Sequence, residues 1–201
     1  MLAAYAKSQS ADDPLSGLEV GERPEPEAPD GWTTVRLRTA ALNHHDVWSL
    51  RGVGLPADRL PMVLGCDGAG VTDDGRDVVI YPIIASPGFS GDETTDPRRH
   101  MLTEREPGTF AEFVVVPDRN VLPLPASMTH ATAAVLGTTY LTAYRMLATR
   151  SGLPAGSTIL VQGATGGVST ALIQLGRALG LRVWATSRTE AGRARAIELG
   201  A

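Results

Sequence analysis

The sequence predicts an α/β protein with two regions, a β-rich body over residues 1–124 and a parallel βαβ unit over residues 125–201. Three observations carry this. A segment that alternates polar and apolar residues at 32–42, followed by short strand-like segments each bounded by Gly, Pro or Asp, fills the first region. After Pro125 the apolar residues recur at helical spacing. Two continuous apolar runs, STILVQG and RVWATS, then flank an amphipathic stretch, the order of a strand, a crossover helix and a second strand parallel to the first.

In the β-rich region, WTTVRLRTAAL (32–42) places Val35 and Leu37 on one side of a half-buried strand. Further strands are expected at 63–71, 77–82 and 110–117, and with few helices between them they suggest a compact barrel or sandwich. Two stretches read as surface loops: 22–31, rich in proline and acid, and 86–109, long and polar, a length at which loops are functional lobes or mobile segments. Beyond Pro125 apolar residues at helical spacing are expected to form helix over 128–152, with Thr129 as the N-cap of the first helix there, followed by a turn at Pro154-Ala155-Gly156. The strand STILVQG, the helix GVSTALIQLGRALG, the strand RVWATS and the helix TEAGRARAIELGA complete the order.

Composition narrows the function classes. At 201 residues the chain buries a sizeable core without disulfides. Its 43% hydrophobic and 20% charged residues are those of a globular protein, and a net charge of −4 leaves no electrostatic footprint for nucleic acid. A single cysteine, Cys66, forms neither an internal disulfide nor a multi-cysteine zinc site and suits a reducing compartment. No segment reads as a leader or a membrane span, so no membrane partner and a cytoplasmic location are the default expectation.

The strongest local signal is QGATGGVSTALIQLGRALGLRVWATS (162–187). A turn between a buried strand and a helix N-terminus aims backbone N–H groups and the helix dipole at a diphosphate, and small residues let the ligand approach. Gly163, Ala164, Thr165, Gly166, Gly167 and Val168 are the candidate cradle. Set against G-x-G-x-x-G the turn reads Ala164, Gly166 and Ser169, so the first and third glycines are replaced. The second strand ends in Thr186-Ser187-Arg188-Thr189 with no acid to hold the ribose 2′-hydroxyl of NAD. Ser187 and Arg188 are suited instead to a 2′-phosphate, with Arg193 a turn further on as a weaker candidate, so NADPH is the expected cofactor.

The order and spacing of ALNHHDVWSLRG (41–52), LPMVLGCDGAGV (60–71), GTFAEFVVVP (108–117), AAVLGTTYLTAYRML (133–147), STILVQGATGGVSTALIQLGRALG (157–180) and AIELGA (196–201) resemble those of the medium-chain dehydrogenase/reductase superfamily, over nearly the whole chain. The resemblance implies a GroES-like β-barrel catalytic domain followed by the opening portion of a Rossmann domain, with the active site in the cleft between them. It also implies further strands of that sheet after Ala201, supplied by a longer protein or a partner unless the chain is a truncated product.

Zinc-dependent members bind the catalytic metal through positions that here hold Asn43, Cys66, Asp67 and Thr138, and the lobe equivalent to residues 86–109, which holds structural zinc there, lacks cysteine. The resemblance therefore implies a zinc-free, quinone reductase-like oxidoreductase that transfers hydride from NADPH to a quinone or an α,β-unsaturated carbonyl. A donor then needs only to stabilise the developing enolate or quinol oxygen. By position, Asn43 is expected near the nicotinamide or substrate oxygen, and His45 at the proton-relay position, while Asp46 either takes part or fixes the helix start. Thr138 and Tyr140 are expected to line the cleft, with a packing role equally open to Tyr140. Two other readings stay open: an unusual metal site recruiting His44 or His45 beside Cys66 and Asp67, as in an atypical alcohol dehydrogenase, and a noncatalytic or truncated nucleotide-binding paralogue. A homodimer is expected only of a full-length protein.

Overall fold

The computed structural model describes residues 1–201 and divides into two compact units, Met1–Gly137 and Thr138–Ala201. The sequence pattern changes earlier, at residues 124 and 125, but the short helix that follows packs on the first unit's sheet.

The first unit runs β1 (Leu2–Ala6), β2 (Leu18–Glu22), β3 (Trp32–Ala41), α1 (His44–Leu50), β4 (Met62–Val63), β5 (Asp67–Thr72), β6 (Asp77–Ile80), β7 (Ile83–Ile84), β8 (His100–Met101), β9 (Phe113–Pro117), β10 (Val121–Pro123) and α2 (His130–Ala133). An antiparallel sheet of order β10-β6-β5-β3-β9 forms its centre, with a β2-β1-β4 sheet and a β7-β8 hairpin beside it. Alternation sets the register: Val35 lies opposite Val114, and Val114 and Val116 point into the core with Val78, Ile80 and Leu102 while Val115 faces outward. Strand β5 is buried on nearly every residue, because α2 covers it and Ala69 packs on Ala133 and Ala134. Opposite Gly70, the register of β3 slips between Leu37 and Thr39, and a Cβ at residue 70 would collide with the carbonyl of Arg36. Gly70 thus permits the bulge that bends this strand pair.

The stretch expected as one strand over 63–71 is two. Gly65, at φ 90°, turns the chain between β4 and β5, which places Cys66 in the core and Asp67 at the start of the next strand. Strands β1 and β2, absent from the sequence expectation, pair with each other over five residues.

Thr129 caps α2 as expected, and in the second unit α3 (Leu141–Tyr144) sits between wide π-type turns at Leu136–Tyr140 and Arg145–Arg150, so the stretch expected to be helical is helical but not uniformly α. Then come β11 (Thr158–Val161), α4 (Gly167–Ala178), β12 (Arg182–Ala185) and α5 (Glu190–Leu199). β11 and β12 pair in parallel, Thr158 with Arg182 through Val161 with Ala185, as the two apolar runs predict, but the expected burial holds on one face only: Val161 and Val183 are buried under α4 and α5, while Leu160 and Trp184 are exposed. Ile173 of α4 is fully buried between the helix and the strands, a contact worth roughly 1.5–3 kcal/mol. Gly176 brings α4 down onto the sheet: a Cβ there would stand 3.0 Å from both Ile159 Cδ1 and Val183 Cγ2. No helix is long and apolar enough to cross a membrane.

Candidate functional site

The candidate cofactor residues cluster in the second unit, where the chain leaves β11. Gly163 adopts φ 67°, which a side chain would oppose, and its N–H donates to Thr186 Oγ1 at 3.2 Å. Ala164 is buried, and its N–H donates to the Thr186 carbonyl at 2.8 Å, tying the turn to the end of β12. Thr186 therefore shapes the turn from the neighbouring strand, a role visible only once the parallel register is known.

Gly166 is the N-cap of α4 in an ordinary extended conformation, φ −74° and ψ 153°. A Cβ there would meet nothing nearer than Gly163 O at 3.6 Å and Ser169 Oγ at 3.7 Å. Neither backbone nor packing requires glycine at this position. Gly167 differs, since its Cβ would press to 2.9 Å on Thr139 Cγ2, so its smallness serves packing against the π-type turn that also holds Thr138. Val168 follows in the first turn of α4, where the leading N–H groups have no helical acceptor. Ser169, at the replaced third glycine, donates its hydroxyl to the Gln162 carbonyl at 3.0 Å, anchoring the helix start to the strand end. Tyr140 donates to Gln174 Oε1 on α4, a packing contact within this unit.

Beside the turn lies a recess of about 440 Å³ lined by Gly163, Thr165, Thr186, Ser187, Arg188 and Thr189. Arg188 is exposed there with no acceptor from the chain, whereas Arg193 donates to the Ser187 carbonyl at 3.3 Å and braces the loop. Thr189 caps α5 by accepting the Gly192 N–H at 3.1 Å. Of the candidate residues, the structure thus brings Gly163, Thr165, Ser187 and Arg188 to one recess.

In the first unit, Asn43 follows the exit of β3 and starts α1. Its side-chain amide donates to Asp67 Oδ2 at 2.9 Å and lies 3.5 Å from Cys66 Sγ. Asp46 is 4% exposed, and its two carboxylate oxygens accept the N–H of Asn43 at 2.7 Å and of Gly65 at 3.2 Å. It fixes the helix start and the Gly65 turn together, and so aims Asn43. Burial pushes its carboxyl above the usual range, and the N–H of Asn43, His45 and the N–H of Gly65 oppose that only in part.

His45 Nε2 lies 2.7 Å from Thr103 Oγ1, either atom able to donate. Thr103 is fully buried and is the only non-glycine residue with positive φ, 78°, a conformation a β-branched residue adopts only when its surroundings impose it. Sequence reasoning missed Thr103, which lies in a polar loop 58 residues from His45 with no local signal. His44 is exposed, and no group of three or more His, Cys, Asp or Glu side chains converges to hold a metal ion.

Residues 29–126 match the alcohol dehydrogenase GroES-like domain. A zinc-type alcohol dehydrogenase-like protein of Schizosaccharomyces pombe is 31% identical over 86% of this chain and 50% of its own length. A solved NAD-dependent alcohol dehydrogenase superposes over the entire chain and 62% of its own with a TM-score of 0.91 and 38% identity. The quinone oxidoreductase of Thermus thermophilus, solved also with NADPH, superposes over the entire chain and 58% of its own with a TM-score of 0.77 and 31% identity. The chain belongs to the medium-chain dehydrogenase/reductase superfamily. It corresponds to the N-terminal portion and spans about half the length of the curated relatives it matches. The residues that match the GroES-like domain lie in the first unit, and the second carries a parallel βαβ, the partial Rossmann portion of the superfamily fold.

In this medium-chain dehydrogenase/reductase chain, Asp46 gives a pH-dependent prediction. Its folded-state pKa is raised, so the folded protein holds the proton more tightly than the unfolded one. The associated stability is present below the ordinary carboxylate range and is lost as pH rises through the folded value. Asp46→Ala is expected to cost about 1–3 kcal/mol at neutral pH by stranding two N–H groups, and to flatten that acid-side dependence. Urea unfolding across pH checks both, and an unchanged slope would remove the argument.

Proposed function

We propose that this chain is the catalytic and first nucleotide-binding portion of an NADPH-dependent oxidoreductase that delivers hydride to a quinone or an α,β-unsaturated carbonyl without a catalytic metal. The observation that carries the nucleotide reading is Gly166, a glycine that nothing in the protein demands, at the N-terminus of a helix with unspent N–H groups. The backbone of Gly166, Gly167 and Val168 would hold the diphosphate of the cofactor. Ser187 and Arg188 would hold the 2′-phosphate, and Thr165, Thr138, Gly163 and Ala164 would complete or shape the cradle.

Nicotinamide, when bound, supplies the hydride. The chain's own residues orient and protonate. Asn43 is held by Asp46 and directed by Asp67, and it spends part of its donor capacity on the Asp67 carboxylate. Proton delivery to the substrate oxygen is therefore assigned to His45, with its ring steadied by Thr103. The donor set does not suit catalytic zinc: the Asn43 amide points at Asp67 and Cys66, the two potential ligands nearest it, and an amide N–H pointed at a carboxylate competes with a cation for it.

The test is fluorescence titration with NADPH and NADH, followed by NADPH oxidation with a panel of quinones and enones, with and without a chelator. Saturable NADPH binding and chelator-insensitive turnover are expected. Loss of turnover on chelation would favour the zinc-type reading that the alcohol dehydrogenase likeness keeps in view, and absence of NADPH binding would end the proposal.

A further inference from the structure

A second recess lies in the first unit, under the polar lobe 86–109. It measures about 410 Å³, within the roughly 300–1,000 Å³ range of small-molecule pockets. Its apolar wall is Trp32, Ile84, Ala85 and Pro117, and Arg98, Arg105 and Arg119 stand around it. Only one carboxylate, Glu106, lines it against these three guanidiniums. In a chain of net charge −4 this is a local excess of positive charge.

The acids nearby are already spent. Buried Asp96 accepts the Ser86 N–H at 2.6 Å, the Ser86 hydroxyl at 2.9 Å and the Arg98 N–H at 2.9 Å. Burial opposes its charge, but these N–H donors prevail and hold its carboxyl below the usual range. Asp96 thereby fixes two lining residues, Ser86 and Arg98, in place. Glu93 pairs with Arg119. Arg105 makes one long bond, 3.4 Å, to the Arg98 carbonyl, and the Arg98 guanidinium attracts the Asp96 carboxylate without hydrogen-bonding to it. His100, also in the wall, keeps both ring nitrogens buried without a hydrogen bond, with Glu106 4.0 Å away.

Two guanidiniums with unspent donors, beside an indole ring on a braced wall, match a flat organic molecule carrying an oxyanion. The arginines would take the oxygens in forked bonds and the indole would take the ring. We infer that this lobe pocket is a binding site for a small aromatic oxyanion, separate from the nucleotide turn.

Phenyl phosphate is the probe, with inorganic phosphate and phenol as its two halves, each followed by isothermal titration on the 201-residue chain. Phenyl phosphate should bind at least about tenfold more tightly than either half, since ring and anion contacts then act together. Arg98→Gln with Arg105→Gln should weaken it at least about tenfold, the loss of charge-assisted bonds, with the thermal midpoint unchanged because both side chains are exposed. Arg188→Gln should leave it unaltered. Phosphate binding as well as phenyl phosphate, no saturable binding, insensitivity to the double substitution, or dependence on Arg188 would each overturn the inference.

Discussion

Replacing Gly166 with valine is expected to lower NADPH affinity at least tenfold, about 1.4 kcal/mol or more, while the folded state loses under about 1 kcal/mol. The separation follows from geometry. The backbone at residue 166 is in the extended region open to any residue, and a Cβ there makes only ordinary van der Waals contacts, 3.6 Å to Gly163 O and 3.7 Å to Ser169 Oγ. A branched side chain there fits the protein and fills the seat that a diphosphate would need. Gly167→Ala is the control with the opposite sign, because its methyl group meets Thr139 at 2.9 Å and should reduce stability before anything else. Parallel titration and thermal unfolding of the two variants read both quantities. If Gly166→Val binds NADPH normally, the turn does not carry the diphosphate.

Arg188→Ala should weaken NADPH by about ten- to a hundredfold and NADH by less than about twofold. Charge-assisted bonds to a phosphate contribute about 1.5–3 kcal/mol, and NADH has no 2′-phosphate to lose. The side chain is exposed, so the preference should shrink as salt is raised. Equal losses for both cofactors, or a preference that ignores salt, would leave the 2′-phosphate without a partner here and favour NADH.

The second unit was the more legible region of the sequence. STILVQ and RVWATS are continuous apolar runs of the kind parallel strands carry, and a run of that kind is recognised without its partner, although here only one face is covered and Leu160 and Trp184 stand exposed on the other. The replaced glycines also make physical sense in the structure: Ala164 is buried against the strand ends, and Ser169 uses its hydroxyl to anchor the helix. In the first unit, strands β1 and β2 escaped because five residues with weak alternation look like any loop, and their stability comes from pairing across the chain. The break at Gly65 escaped because a left-handed glycine inside an apolar segment leaves no periodic trace. Site partners separated by long stretches of chain, Asn43 with Asp67 and His45 with Thr103, are products of tertiary register.

The contact between His45 and Thr103 has a consequence for how damage would spread. One partner belongs to a helix anchored by Asp46 and the other to the far end of the 86–109 excursion. An imidazole clamped this way keeps its orientation only while that excursion stays seated, so a nick or an insertion anywhere along it would free the ring to rotate without touching a single atom of the helix.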